Sequence, residues 1–216
     1  MVGFVPAKAD PQRQRDFLKS TLLPLIRKAE KHEISLFFMD ASHFVMGGFV
    51  GRVWSIVRKY IKTASGRQRF NVLGALNYVT KKVETVANTT YITSVQVVEM
   101  LEQLAKKYSK PIKIILDNAR YQRCNFVKEN AERLGIELVF LPTYSPNLNL
   151  IERVWKLVKS LVLNSAYYAT FDDFCGSISK SIEGLHIENA AAMDTLISKK
   201  FHIVDADKSE KLELVA

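Results

Sequence analysis

The hydrophobic positions change their period several times along the chain. From residue 10 to 32, Phe17, Leu22, Leu25, Ile26 and Ala29 recur at roughly helical spacing among charges. This predicts a helix that Pro24 kinks or divides. The run "ISLFFMD", 34–40, is continuously apolar, of strand length, and stops on Asp40. Such a run suits a strand buried on both faces. "GFVGRVWSIV", "RFNVLGALNYV" and a shorter stretch around "KVETVAN" read as further strands. Their turns lie close enough together for an antiparallel meander.

At Thr93 the period changes to that of a helix. Thr93 and Gln96 have capping-box spacing, and Val97, Leu101, Leu104 and Tyr108 form the stripe that follows. "PIKIILD", 111–117, is a second buried strand ending on an aspartate. The next helix carries Phe126, Asn130 and Leu134 in line, with Gly135 as its C-terminal stop. "IELVFLP" then completes a βαβ unit over 111–141, expected to cross over right-handed. Helices at about 147–163 and 171–185 follow, and the charged end "DADKSEKLEL" is expected to fray. A meander followed by helix, strand, helix, strand and helix is an α/β order. It is the one expected of a ribonuclease H-like mixed sheet flanked by helices. The expected division is a helical linker segment, 1–33, a catalytic domain, 34–186, and a C-terminal tail, 187–216.

Composition narrows the class. Of 216 residues 48% are hydrophobic and 25% charged, the profile of a soluble globular chain without repeats or low-complexity segments. No apolar run is long enough to cross a bilayer, and "MVGFVPAKADPQRQRD" lacks the apolar centre of a signal peptide. With only Cys124 and Cys175, reduced thiols and a cytoplasmic location are expected. Lys and Arg outnumber Asp and Glu 31 to 22, a net charge of +9. A polyanionic partner, most simply nucleic acid, accounts for that excess, although an unspecialised basic surface also would. The charges are dispersed, which argues against a basic arm and leaves room for a basic face.

Three carboxylates stand apart. Asp40 and Asp117 each end a buried strand. If those strands are parallel neighbours, both emerge at one edge of the sheet, where ligands of open α/β sheets bind. Taken singly, a strand-end aspartate is also an ordinary turn former. Glu152 opens the helix after "LPTYSPNLNLIERVW" and has bland readings as well: a capping box with Asn149, or a surface pair with Lys156. A helix start at Ser145, with Pro146 in the first position, would leave Glu152 too deep to cap. Ile151, Val154, Trp155, Val158, Leu161 and Val162 would then form the buried stripe. Three converging carboxylates would repel by about 4 kcal/mol per pair at 4 Å and an effective dielectric near 20. Convergence therefore implies a cation. An all-oxygen donor set favours Mg²⁺ or Mn²⁺ over Zn²⁺, and two such ions suit phosphodiester chemistry.

At these residues the chain resembles a known family. "MDASHF", "ILDNARYQRC" and "LPTYSPNLNLIERVWKLVK" are similar to the three blocks of the DDE transposases of the IS630 group, in the Tc1/mariner superfamily. From 117 to 152 is 35 positions, leaving 34 between, the spacing typical of that superfamily. "NVLGAL" and "YYATFDDF" extend the likeness over nearly the whole chain. The resemblance implies metal binding by Asp40, Asp117 and Glu152, with two Mg²⁺ or Mn²⁺ ions when DNA is bound. It also implies hydrolytic nicking at transposon ends, followed by attack of the freed 3′-OH on target DNA.

Asn118 and Asn149 match motif positions that would orient ligands or phosphate. Arg52, Arg67, Arg69, Arg120 and Lys156 are the DNA-contact candidates. No helix-turn-helix module fits ahead of residue 34. The chain is therefore expected to be a catalytic half that works with a separate DNA-reading chain or upstream domain, as a homodimer when it pairs transposon ends, near the nucleoid. The rival readings are a nuclease or resolvase on the same fold, and an inactive DNA-binding remnant. "GGFVG", 47–51, fits a turn better than a nucleotide loop, Trp54 and Trp155 read as core, and His43 reads as structural.

Overall fold

The computed structural model describes residues 9–47, 68–164, 166–201 and 203. The expected strand "GFVGRVWSIV", the turn after Gly47, Trp54, Arg52 and Arg67 lie outside them, as does the charged end of the chain.

The first helix is interrupted, as Pro24 requires. Helix α1 (Pro11–Phe17) passes through a π-helical turn, Leu18–Leu22, into α2 (Leu23–Glu30). Pro24 has no N–H for the carbonyl four residues earlier. The chain adapts one turn upstream, where the Leu23 N–H reaches the Leu18 carbonyl. Leu22, Leu25, Ile26 and Ala29 are buried in the same core as the sheet. Segment 9–30 is thus packed against the body of the protein.

Five strands form one sheet: β1 (Ser35–Val45), β2 (Arg69–Asn77), β3 (Val83–Asn88), β4 (Ile112–Leu116) and β5 (Ile136–Phe140). Their spatial order is β3-β2-β1-β4-β5. The first three make an antiparallel meander, and β1, β4 and β5 run parallel. This is the mixed sheet read from the order of elements. One strand end differs from the expectation: β1 does not stop at Asp40 but runs on to Val45. Asp40 is where β1 loses one neighbour, not both. The β4 pairing ends at Phe38↔Ile115, while the β2 pairing continues to Val45↔Arg69. Polar residues enter the pattern there because one side of the strand has opened.

Alternation along β1 separates two cores. Leu36, Phe38 and Phe44 share one with α2 and with α6 (Ile151–Val162) and α7 (Phe171–Glu188). Phe37 and Met39 share the other with α3 (Ser94–Lys107) and α5 (Asn125–Arg133). The Thr93–Gln96 capping box opens α3 as expected. A four-residue helix α4 (Arg120–Arg123) precedes α5, and Gly135 stops α5 with φ +67°.

Two stripes are corrected. On α5 the buried residues are Val127 and Ala131, while Phe126 is exposed and Asn130 donates its side-chain amide to the Phe126 carbonyl. The break at Cys124 starts the helix afresh and turns it away from the phase assumed. On α6, Leu161 is exposed while Val158 and Val162 are buried. Beyond residue 187, α8 (Ala190–Leu196) returns Met193 to the first core. Arg153 of α6 donates to the Leu196, Ser198 and Lys200 carbonyls and so fastens this segment.

Candidate active site

Asp40 lies on the face of β1 that carries Leu36, Phe38 and Phe44, and so faces α6. Asp117, immediately after β4, shares the phase of Ile115, which belongs to the same core. Continuing the Phe38↔Ile115 register by two residues brings Asp40 level with Asp117. Glu152 stands in the first turn of α6. All three line one cavity of about 330 Å³, whose other walls are Asn118, Ala119 and the stretch from Leu141 to Pro146, with Asn149. The cleft opens because β4 and β5 part after Leu116, where the Leu141 N–H makes a last bond to the Leu116 carbonyl at 2.9 Å. The side-chain amide of Asn118 bonds to the Leu141 carbonyl just beyond.

Neither expected helix start describes α6. Pro146–Leu148 is a separate 3₁₀ turn, and α6 begins at Ile151 without any side-chain cap. Asn149 is turned inward instead: its Nδ2 donates to the Met39 carbonyl at 3.2 Å, tying the head of α6 to the residue before Asp40. Its Oδ1 is buried with no hydrogen-bond partner. Among the described residues Glu152 makes no ion pair with Lys156, and none of the three carboxylates is paired with a Lys or Arg.

Gly74 sets the depth at which α6 sits. It is the β2 partner of Asp40. A Cβ there would lie 2.6 Å from Trp155 Cη2 and 3.0 Å from Ile151 Cδ1. The bare backbone thus lets the first turns of α6, and Glu152 with them, descend onto the sheet beside Asp40.

The electrostatics record the crowding. Burial raises the Asp40 carboxyl from the ordinary 3.8 to about 7, and the charges of Glu152 and Asp117 add to it. The Ala41 N–H and the Trp155 side chain pull the other way, although the buried Trp155 Nε1–H completes no hydrogen bond of normal geometry. Burial, then the Asp40 and Asp117 charges, push the Tyr121 hydroxyl up to about 12, so it stays protonated beside them. Asp117 is held by the Ala119 N–H at 2.9 Å, and Gln122, with its amide turned toward Asp117, donates to the Asp117 carboxylate at 2.5 Å. Among the described residues no three carboxylates, imidazoles or thiols stand close enough to enclose one ion as they are. The three carboxylates share one cavity without being drawn tightly together.

The donor set fits a hard divalent cation. It offers three carboxylates without a counter-charge among the described residues, plus the unpartnered, buried Asn149 Oδ1, and the cavity lining holds no sulfur or imidazole. His43 is on the opposite face of β1, where its Nδ1 meets Asn71 Oδ1 at 2.6 Å. Arg120 opens α4 next to the cavity wall and Lys156 follows Glu152 by one turn; both are exposed, as is Arg69 at the far end of the β1–β2 ladder. Tyr121, Gln122, Gly74 and Gln14 were not singled out as site residues in the sequence. The first two lie inside the "ILDNARYQRC" block, which was their one signal.

Residues 35–175 match the family described as DDE superfamily endonuclease. The chain belongs to that family. This DDE chain is 26% identical over 172 residues to the insertion element IS630 uncharacterized 39 kDa protein of Shigella sonnei, covering 74% of this chain and 49% of that protein. It therefore spans about half the length of the curated relative it matches. Among solved structures, the Mos1 strand transfer complex aligns with a TM-score of 0.60 over 89% of this chain and 65% of that one, at 12% identity. The Mos1 mariner paired-end complex with Mn aligns with a TM-score of 0.57 over 90% and 67%, at 14% identity. The fold is ribonuclease H-like, and the resemblance to IS630-type DDE transposases read from the three blocks is borne out.

Proposed function

We propose that this chain is the catalytic part of a transposase that cuts DNA at transposon ends and transfers the freed strand into target DNA. The observation that carries the reading is the meeting of Asp40, Asp117 and Glu152 at one cavity with no basic partner among the described residues. These three would hold Mg²⁺ or Mn²⁺, two ions when DNA is present. When bound, such ions activate an attacking oxygen and stabilise the leaving one at a phosphodiester.

The chain's own residues supply the setting. Asn118 and Asn149 brace the two sides of the cavity, Asn118 through the Leu141 carbonyl and Asn149 through the Met39 carbonyl. Tyr121 keeps a neutral hydroxyl within the electrostatic reach of Asp40 and Asp117. Arg120, Lys156 and Arg69 receive the DNA backbone, with Arg52 and Arg67 as further contacts. End recognition falls to a separate or upstream helix-turn-helix unit, and pairing of two ends to a homodimer.

The test is Mn²⁺ binding by water-proton relaxation, comparing the wild type with Asp117→Ala, with and without a short duplex. Binding that tightens with DNA and disappears in the variant supports the site, and joining of pre-nicked ends is then assayed. Equal behaviour of the two proteins overturns it in favour of a DNA-binding remnant.

A further inference from the structure

Three buried side-chain polar atoms among the described residues lack a hydrogen-bond partner: Ser42 Oγ, Asn149 Oδ1 and Trp155 Nε1. Each belongs to a residue linked to Asp40 through the sheet or its immediate chain neighbours. Ser42 follows it by two positions on the same face of β1. Asn149 holds the carbonyl of the preceding residue, Met39. Trp155 lies against Gly74, which pairs with Asp40 across the sheet.

Trp155 is the most telling of the three. Its six-membered ring lies so close to the Gly74 backbone that a Cβ there would come within 2.6 and 2.7 Å of Cη2 and Cζ2. Phe44 meets it edge-on, with ring centroids 6.3 Å apart. The side chain is only 2% exposed, so the indole is held in place from two sides. An indole N–H can donate and nothing else. Buried donors are nearly always satisfied, and an apolar ring would pack here without the difficulty. The nearby acceptor is the Asp40 carboxylate, whose charged form Trp155 already favours.

We propose that Trp155 is the positioning residue for Asp40, its Nε1–H donating to the Asp40 carboxylate in the metal-bound state and so fixing how that carboxylate is presented to the ion. This rests on the metal-binding reading above. It assigns the tryptophan of the third block a task beyond filling the core, and it makes the indole a reporter of the site.

The test uses the full chain and Mn²⁺ as the probe. Trp155→Phe keeps a ring and removes the N–H. Phe44→Leu trims the same packing contact and leaves the N–H in place. Both variants should melt at a lower temperature than wild type without metal. Only Trp155→Phe should lose Mn²⁺ affinity, by about tenfold or more, as loss of an outer-shell partner usually does. Equal Mn²⁺ affinity in Trp155→Phe and wild type, or an equal loss in Phe44→Leu, overturns the proposal and leaves the metal site standing. Wild type that binds no Mn²⁺ overturns the metal reading itself.

If Trp155→Phe does not fold, Trp54→Phe leaves Trp155 as the sole indole of the two in the chain. Its emission should then shift on titration with Mg²⁺. No shift, in a protein that relaxation shows to bind Mn²⁺, overturns the proposal.

Discussion

Gln14 and Tyr144, 130 positions apart, are joined by a hydrogen bond of 3.3 Å from the Gln14 side-chain amide to the Tyr144 carbonyl. Gln14 is buried on α1, and its own oxygen accepts from Asn147 Nδ2 at 2.9 Å. Tyr144 has φ +58°, in the left-handed region that a tyrosine seldom occupies, and its ring is half exposed at the cavity wall. The first helix therefore holds the wall loop in a conformation it would not choose alone.

Gln14→Ala should remove that clasp. Stability should fall by about 1–3 kcal/mol, the cost of leaving buried polar groups without partners. Protease cleavage within 142–147 should accelerate by more than the global loss accounts for. Denaturant titration beside limited proteolysis measures both; cleavage that simply tracks global stability would show that the loop holds its own shape.

Gly74→Ala should lift α6 from the sheet. The added Cβ would meet ring carbons of Trp155 and the Ile151 methyl at 3.0 Å or less, and overpacking of this kind costs about 1–3 kcal/mol. Mn²⁺ affinity should fall with it. Because Phe is shorter than Trp, adding Trp155→Phe should recover much of the lost stability, a coupling that a double-mutant cycle by chemical denaturation reads directly.

The raised Asp40 carboxyl makes stability depend on pH with a definite sign. A folded value near 7 against the ordinary 3.8 means that the folded chain binds this proton more tightly than the unfolded chain does. The contribution is fully present below about pH 4, is lost as pH rises to about 7, and is constant above that. Its ceiling is about 4 kcal/mol, reduced by whatever solvent screens. Metal-free Asp40→Asn should therefore be more stable than wild type at pH 8 and equal to it near pH 4. Thermal melts across that range check it. The rise in melting temperature caused by Mg²⁺ should, for the same reason, be larger at pH 8 than at pH 5.

DNA affinity should fall steeply and linearly on a log–log plot against salt, because phosphate contacts release counterions. Arg120→Ala and Lys156→Ala should each lower the slope by about one and weaken different duplex sequences alike. Fluorescence anisotropy at several salt concentrations gives both numbers. Unchanged slopes would remove these side chains from the DNA path.

The sequence by itself determined which stretches become strands and which become helices over most of the described residues, and the chemistry on offer. Strand-length apolar runs closing on Asp40 and Asp117, the Thr93–Gln96 box and the Gly135 stop are local features, governed by side-chain period and backbone sterics within a few residues. The three blocks also named the carboxylates that share the cavity. What required the tertiary structure was every relationship across distant segments. The register that sets Asp40 level with Asp117 depends on which strands become neighbours. The inward turn of Asn149 depends on the Met39 carbonyl being there to receive it, which is why a local capping rule misread it. Likewise the depth of Glu152 depends on a glycine 78 positions earlier. Burial and the neighbouring carboxylates, neither of which the Asp40 stretch contains, moved its carboxyl into the neutral range, because the free energy of a charge is set by what surrounds it in space.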